Sequence, residues 1–138
     1  MLRYLLCVSL FTAFCLQLTA QVTFPSNEGE RARYSAYIEM PRGYISGVCI
    51  LVNNEGIIKG SIFNEFGITA LDFSYDPQRQ KVRLYSVVAM MDKWYIRRVL
   101  KKDLAQLMLR LQQCEFSYRN ERRHITYQFT PIADEVTQ

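Results

Sequence analysis

The sequence predicts an α+β fold, a curved antiparallel β-meander of about seven strands packed against one amphipathic helical segment. Between residues 33 and 88, stretches that alternate polar and apolar residues follow one another, separated by short turn sequences. One stretch with helical periodicity comes next, and two short β-type stretches close the chain. With 138 residues, of which 49% are hydrophobic, the chain has the size and apolar content of one folded domain.

The first five strands are predicted from alternation and from the turn residues between them. We expect these strands over residues 34–40, 44–53, 57–66, 68–75 and 81–88. The turn signals are Pro41 with Gly43, the Asn53–Gly56 run, Gly67, and Asp76 with Pro77. Residues 48–52 are apolar without interruption, which is typical of a strand in the middle of a sheet.

The hydrophobic period changes after residue 88 and predicts a helix over about residues 90–112. Its apolar stripe consists of Ile96, Leu100, Leu104, Leu107 and Leu111. Asp103 and Gln106 resemble a capping box. The segment is therefore compatible with two interpretations, a single helix or two helices that break near Lys102. Residues 114–119 and 124–130 predict a terminal hairpin. The domain is therefore expected over 33–131, after a flexible lead-in (21–32) and before a polar tail (132–138).

The first twenty residues have the order of a secretory signal peptide. Arg3 precedes an apolar run to Leu16, and small residues lead to an expected cleavage after Ala20. An uncleaved membrane anchor is one alternative, although the run is shorter than the ~20 residues that span a bilayer. Lipid attachment at Cys15 is another, disfavoured because the bulky Phe14 precedes it. We expect an exported protein, in the periplasm or cell envelope if bacterial and otherwise secreted, without a transmembrane segment after cleavage.

The net charge limits the classes of partner that the exported chain can have, and its cysteine content leaves a disulfide possible. Residues 1–20 hold one base and no acid, so their removal lowers the formal net charge from +4 to +3. This is far below the charge of a nucleic-acid-binding domain, and we expect no nucleic-acid partner. Cys49 and Cys114 remain, both in predicted strands. A disulfide between them and two buried free thiols are both open.

The reactive side chains form no recognisable catalytic or metal-binding pattern. His124 is the only histidine, and because it lies beside Arg122 and Arg123 it is expected to be an exposed strand residue. The sequence has no cysteine–histidine cluster of the zinc-binding type, no phosphate-binding glycine loop and no Gly-x-Ser-x-Gly motif. Glu65 and Asp72 are interpreted as surface acids. We therefore expect a non-enzymatic protein without a metal or cofactor.

The predicted helix carries the densest charge of the chain. Its bases, which we call the basic helix face, are Lys93, Arg97, Arg98, Lys101 and Lys102. Such a face indicates contact with anionic head groups, an acidic polysaccharide or a negatively charged protein, and an ordinary solvated helix face is the alternative. Trp94 precedes the apolar stripe and is expected in the core, with an interface anchor or a pocket lid as the alternatives.

Three segments carry a resemblance to a known family. They are Gly-Val-Cys-Ile-Leu (47–51), Gly-Ser-Ile-Phe (60–63) and Leu-Asp-Phe-Ser-Tyr (71–75), followed by the strand over 81–88 and the helical 104–111. With the exported N-terminus and the final hairpin, this pattern resembles the bacterial lipoprotein-localisation carriers of the periplasm and outer membrane. The resemblance implies an incomplete β-barrel that is lined by apolar side chains, covered by helices, and holds lipid acyl chains.

The resemblance makes an envelope protein that holds a lipid or another apolar ligand the leading hypothesis. The expected pocket consists of Ile50, Val52, Ile62, Phe73, Leu84, Trp94, Leu104 and Leu107. The basic helix face would then contact an anionic envelope component. An envelope protein-interaction module with a solid core is the second hypothesis, and a small hydrolase is the third and least favoured.

Overall fold

The structure, a computed structural model, describes residues 24–132, in which seven antiparallel strands form one curled half-barrel sheet with one helix. The strands are β1 (Arg31–Met40), β2 (Gly43–Asn54), β3 (Ile57–Phe63), β4 (Thr69–Asp76), β5 (Lys81–Val87), β6 (Ser117–Asn120) and β7 (Ile125–Pro131). A 3₁₀ turn, Ala89–Met91, precedes helix α1, Trp94–Gln112. The predicted α+β fold is confirmed. The expected signal peptide, Cys15 and residues 133–138 lie outside the described residues.

Strand β1 pairs with β2 on one side and with β7 on the other. The strand order of the sheet is β5-β4-β3-β2-β1-β7-β6, so β2 is central, as its continuous apolar run predicts. Helix α1 has its most extensive strand contacts with β5 and β6, which are the two edges of the sheet. The helix therefore packs across the open side of the half-barrel.

The face of the sheet that α1 covers, which we call the inner face, carries the core. Alternate residues of β1 and β7 are buried there, and the rings of Tyr34 and Phe129 lie 6.2 Å apart between centroids. The helix contributes four fully buried leucines at the predicted spacing: Leu100, Leu104, Leu107 and Leu111. Ile96, the first member of the predicted stripe, is partly buried. Each buried leucine contributes about 1.5–3 kcal/mol, so this stripe holds the helix on the sheet.

Gly60 gives an aromatic ring room on the inner face of β3. It pairs with Phe73 of β4, and a Cβ built at residue 60 would lie 2.4 Å from the Cζ atom of that ring. Phe73 is itself almost completely buried. The phenyl ring therefore occupies the space that a side chain on residue 60 would need.

Strand β5 departs from simple alternation near its end. Between Leu84 and Ser86 its pairing with β4 slips by one residue, which leaves Tyr85 outside the ladder. The slip brings Val87 to the inner face, where it is buried, while Ser86 is exposed. A β-bulge here adds one residue and reverses the alternation, so Ser86 and Leu84 lie on opposite faces of the sheet.

Ile50 and Val52 lie on the outer face of β2, so the expectation that they line the interior is wrong. The buried residues of this part of the strand are Cys49, Leu51 and Asn53, and successive side chains point to opposite faces. Ile50 and Val52 are only half-buried. An uninterrupted apolar run looks the same in both registers, so the sequence did not distinguish the two faces.

The segment expected as a flexible lead-in is attached to the sheet in its described part. Strand β1 already begins at Arg31, and Phe24 belongs to the core with 5% of its surface exposed. The Asn53 side-chain amide donates a 3.0 Å hydrogen bond to the carbonyl of Pro25, and the Gly29 amide donates to the carbonyl of Asn53 at 2.9 Å. The folded unit therefore begins before residue 33.

Helix α1 is continuous, so the alternative of two helices with a break near Lys102 is wrong. Asp103 does not cap a second helix, because its side chain is buried against the last two strands. Cys114, expected in a strand, lies in the turn after the helix with a φ of 62°. Strand β6 begins only at Ser117.

Candidate functional site

The antiparallel meander brings alternate connections to one end of the half-barrel. The β1–β2 turn, the β3–β4 turn, the segment from β5 into α1 and the β6–β7 turn all lie there. We call these connections, residues 40–44, 64–68, 88–98 and 121–124, the loop end. Helix α1 begins at the loop end and runs toward the opposite end of the sheet, where β6 starts.

A groove of about 560 Å³, which we call the end groove, opens at the loop end. It lies between the β1–β2 turn, the first turns of α1 and the β6–β7 turn. Its apolar lining consists of Met40, Met90, Tyr95, Ile96, Val99 and Ile125. Three bases from three different elements also line it: Arg42, Lys93 and Arg123. The end groove thus combines an apolar floor with positive charge.

Local chain geometry explains how these elements meet. Pro41 and Arg42 form the tight turn between β1 and β2. A Cβ built at Gly43 would lie 3.6 Å from the sulfur of Met90, so the 3₁₀ turn packs directly against the β1–β2 turn. Ile125 starts β7 on the inner face, and Arg123 precedes it in the β6–β7 turn.

The positive charge of the end groove is not neutralised by acids within residues 24–132. Arg42, Lys93 and Arg123 take part in no salt bridge there. Helix α1 has no acid in its first turn, and Lys93, its N-cap residue, makes no side-chain capping bond. The partial positive charge of the helix N-terminus therefore adds to the charge of the three bases.

The basic helix face does not form one site. Only Lys93 lines the end groove, while the Arg97 guanidinium is paired with Asp92 at 2.7 Å and Arg98 is exposed at the loop end. Lys101 and Lys102 point away from it, toward β5, where both line a separate groove of about 680 Å³. Lys101 also lines a neighbouring groove of about 440 Å³.

The expected apolar pocket is distributed between the core and the surface. Five of its residues are buried in the core and do not line the end groove: Ile62, Phe73, Leu84, Leu104 and Leu107. Trp94, expected in the core, is 75% exposed at the first residue of α1. That expectation is wrong because the apolar stripe of the helix starts at Ile96, two residues later and on another side of the helix.

Asp103 forms a buried polar cluster that joins α1 to the final hairpin. The Tyr127 hydroxyl donates to its Oδ2 atom at 2.7 Å, and the Asn120 amide donates to its two oxygens at 2.9 and 3.1 Å. Burial raises the pKa of Asp103, and both hydrogen bonds oppose that rise. Burial and the neighbouring carboxylate raise the pKa of Tyr127. The cluster fixes the hairpin whose turn carries Arg123 into the end groove.

Cys49 and Cys114 are not joined to each other in the structure. Cys49 is fully buried in β2, and this burial raises the pKa of its thiol. Cys114 is exposed beyond the helix. The alternative of two buried thiols therefore holds for Cys49 and not for Cys114.

Sequence reasoning missed most of the end groove. Met40, Arg42, Met90 and Arg123 come from connections that are far apart in the chain, and their proximity depends on the sheet order. The burial of Asp103 could have been predicted from local sequence, because Asp103 lies three residues after Leu100 and thus on the apolar stripe. A charged residue at such a position is buried only if it is hydrogen-bonded.

Comparisons of the chain with models of known protein families, with curated proteins and with solved structures found no match. Within residues 24–132, no helix is long and apolar enough to cross a bilayer. The same residues contain no group of three or more His, Cys, Asp or Glu side chains placed to hold a metal ion. The geometry of the end groove is therefore the basis for a functional proposal.

Proposed function

We propose that the protein is an exported, non-enzymatic binding protein that holds an anionic amphiphile, such as a lipid or fatty acid, in the end groove. The observation that carries the proposal is the combination, in one groove, of an apolar floor and three bases without acidic partners. An apolar chain fits the floor, and an anionic head group fits the bases.

The size and chemistry of the groove support this ligand class. Its volume of about 560 Å³ lies within the range of about 300–1,000 Å³ that is usual for small-molecule sites. Each methylene group removed from water contributes about 0.8 kcal/mol, so a short acyl chain supplies several kcal/mol. Arg42 and Arg123 can donate charge-assisted hydrogen bonds to a carboxylate or phosphate. The chain and the head group would thus be recognised by different parts of the groove.

The proposed ligand site lies at the end of the half-barrel, whereas the sequence predicted an apolar pocket in its interior. Ile62, Phe73 and Leu107 pack with the rest of the core and leave the interior filled by side chains. The location is proposed from the sequence alone: the signal-peptide pattern supports export to the periplasm or cell envelope, or secretion. The resemblance to lipoprotein-localisation carriers supports the ligand class.

The filled interior also favours a second candidate, an envelope protein-interaction module with a solid core. This candidate does not require the end groove to hold a small molecule. The two candidates differ in what the purified protein carries. Native mass spectrometry of the protein purified after export into a bacterial periplasm tests this, because a bound amphiphile adds a mass that is released on denaturation.

The decisive test compares two ligands that have the same chain length and differ in the head group, which is anionic in one and neutral in the other. We expect calorimetric titration to show that dodecanoate binds at least tenfold more tightly than uncharged dodecanol. Replacing Arg42, Lys93 and Arg123 by alanine together should remove this difference while dodecanol still binds. Lys101→Ala with Lys102→Ala is the matched control, because it removes two bases outside the end groove. Equal binding of both ligands, or an equal effect of the control, would contradict the proposal.

A further inference from the structure

We infer that the loop end docks on an anionic lipid bilayer. The inference rests on the proposed function in one respect, namely that an amphiphile would pass between the bilayer and the end groove. The docking itself is argued from exposed side chains and charge, and it is testable without any amphiphile in the groove.

Exposed large hydrophobic side chains are concentrated at the loop end. Among the described residues, seven side chains of this kind are exposed, and six of them lie there: Tyr44, Phe66, Ile68, Met90, Trp94 and Tyr95. Phe66 and Trp94 are exposed to 84% and 75%. Single exposed hydrophobics are ordinary on protein surfaces, but their collection at one end of a domain indicates an interaction site.

The β3–β4 turn holds its hydrophobic residues outward by a defined backbone. The Asn64 side-chain oxygen accepts hydrogen bonds from the amides of Phe66 and Ile68 at 3.0 and 2.9 Å. Gly67 between them has a φ of 76°, a conformation that glycine adopts without strain. Phe66 is therefore presented to solvent by a hydrogen-bonded turn.

The charge of the loop end is complementary to an anionic surface. Its residues include six bases: Arg42, Lys93, Arg97, Arg98, Arg122 and Arg123. The acids are half as numerous: Glu65, Asp92 and Glu121. Juxtamembrane bases each contribute about 1 kcal/mol of attraction to anionic lipids, and aromatic side chains such as Trp94 favour the interfacial region of a bilayer.

The distribution of these residues favours a bilayer over a folded protein partner. The hydrophobic side chains protrude from separate connections, and bases stand between them at Arg42, Lys93 and Arg98. A fluid bilayer takes in separate apolar side chains while its head groups contact the bases. The end groove opens at the same end, so an amphiphile leaving the bilayer would enter it without crossing water.

Trp94 is the only tryptophan of the sequence, so its fluorescence reports on the loop end alone. The full chain is expressed with its N-terminal segment, purified after export, and mixed with vesicles of phosphatidylcholine with or without phosphatidylglycerol. We expect a blue shift, and quenching by brominated acyl chains, with the phosphatidylglycerol vesicles only. High salt should reverse both effects. Unchanged fluorescence, or equal effects with neutral vesicles, would overturn the inference.

A pair of variants separates docking by the loop end from any other contact with vesicles. Phe66→Ser with Ile68→Ser removes two exposed hydrophobics that do not line the end groove, and we expect vesicle affinity to fall at least tenfold. Tyr85→Ser removes the exposed aromatic of β5, away from the loop end, and should leave vesicle affinity unchanged. Equal effects of the two changes would overturn the inference.

The same variants distinguish failure of the inference from failure of the proposed function. Dodecanoate binding in the absence of vesicles should be unchanged in the Phe66→Ser, Ile68→Ser protein. Dodecanoate binding without vesicle binding in the unaltered chain would overturn the docking inference and leave the proposed function intact. Vesicle binding without charge-selective dodecanoate binding would support docking and contradict the proposed function.

Discussion

The hydroxyl of Tyr127 should contribute to stability through its bond to Asp103, and Tyr127→Phe tests this directly. At pH 7 the variant loses a buried 2.7 Å hydrogen bond to a carboxylate. Bonds of this kind contribute about 1.5–3 kcal/mol. We therefore expect the free energy of unfolding to fall by about 2 kcal/mol, measured by urea denaturation. Tyr118→Phe is the matched control, because its ring lies beside that of Tyr127 and its hydroxyl does not bond to Asp103.

The loss of stability caused by Tyr127→Phe should depend on pH, and the raised pKa of Asp103 determines the direction of that dependence. Because the pKa of Asp103 is raised in the folded state, its protonated form is favoured by folding. This contribution is fully present below the unfolded pKa of about 3.9 and is lost as the pH rises through the higher folded value. The Tyr127 hydroxyl opposes the shift, so its removal raises the pKa of Asp103 further. The loss caused by Tyr127→Phe should therefore be larger at pH 7 than at pH 3.5.

A double-mutant cycle with Asp103→Ala isolates the bond between the two side chains. In the Asp103→Ala background the Tyr127 hydroxyl has lost its acceptor, so its removal should cost little or be stabilising. We expect a coupling energy of about 1–2 kcal/mol. The reasoning would be refuted if Tyr127→Phe had the same effect in both backgrounds, or if its effect were larger at pH 3.5 than at pH 7.

Two further predictions concern the core. Gly60→Ala should reduce the free energy of unfolding by about 1–3 kcal/mol, because the new Cβ displaces the Phe73 ring. Urea denaturation measures this loss, and Phe73→Leu in the same chain should recover part of it; an unchanged midpoint for Gly60→Ala would show that the ring moves freely. In a Cys114→Ser chain purified after export, the buried Cys49 thiol should react with an aromatic disulfide reagent only after unfolding. Rapid reaction of the native chain would mean that β2 opens readily.

The elements of this fold were predictable where the pattern is local. The helix stripe from Leu100 to Leu111 follows directly from spacing, and the β1–β2 and β2–β3 turns follow from Pro41 and from the Asn53–Gly56 run. The bulge at Tyr85 was not predictable, because one extra residue in a strand leaves no compositional mark and depends on pairing with β4. The faces of β2 were ambiguous for a similar reason, since apolar residues occupy both.

The candidate site was much less predictable than the fold. The basic helix face was defined by the density of bases on the predicted helix, but only Lys93 of that set lines the end groove. The other two bases of the groove, Arg42 and Arg123, come from turns elsewhere in the chain. Trp94 was misplaced because aromatic character alone does not say whether a side chain at a helix start faces the core. These positions depend on which connections the sheet order brings together, and hydrophobic periodicity carries no information about that.

The pairing of β1 with β7 has a consequence for the order in which this chain can fold. Tyr34 pairs with Pro131, so the first strand obtains its second neighbour from almost the last described residue. During synthesis from the N-terminus, β1 to β5 can form a meander, but one edge of β1 stays unpaired until residues 125–131 emerge. Such an edge is a template for pairing with another chain. The nascent protein therefore passes through a period in which premature release favours aggregation, and a chain truncated before β7 would remain in that state.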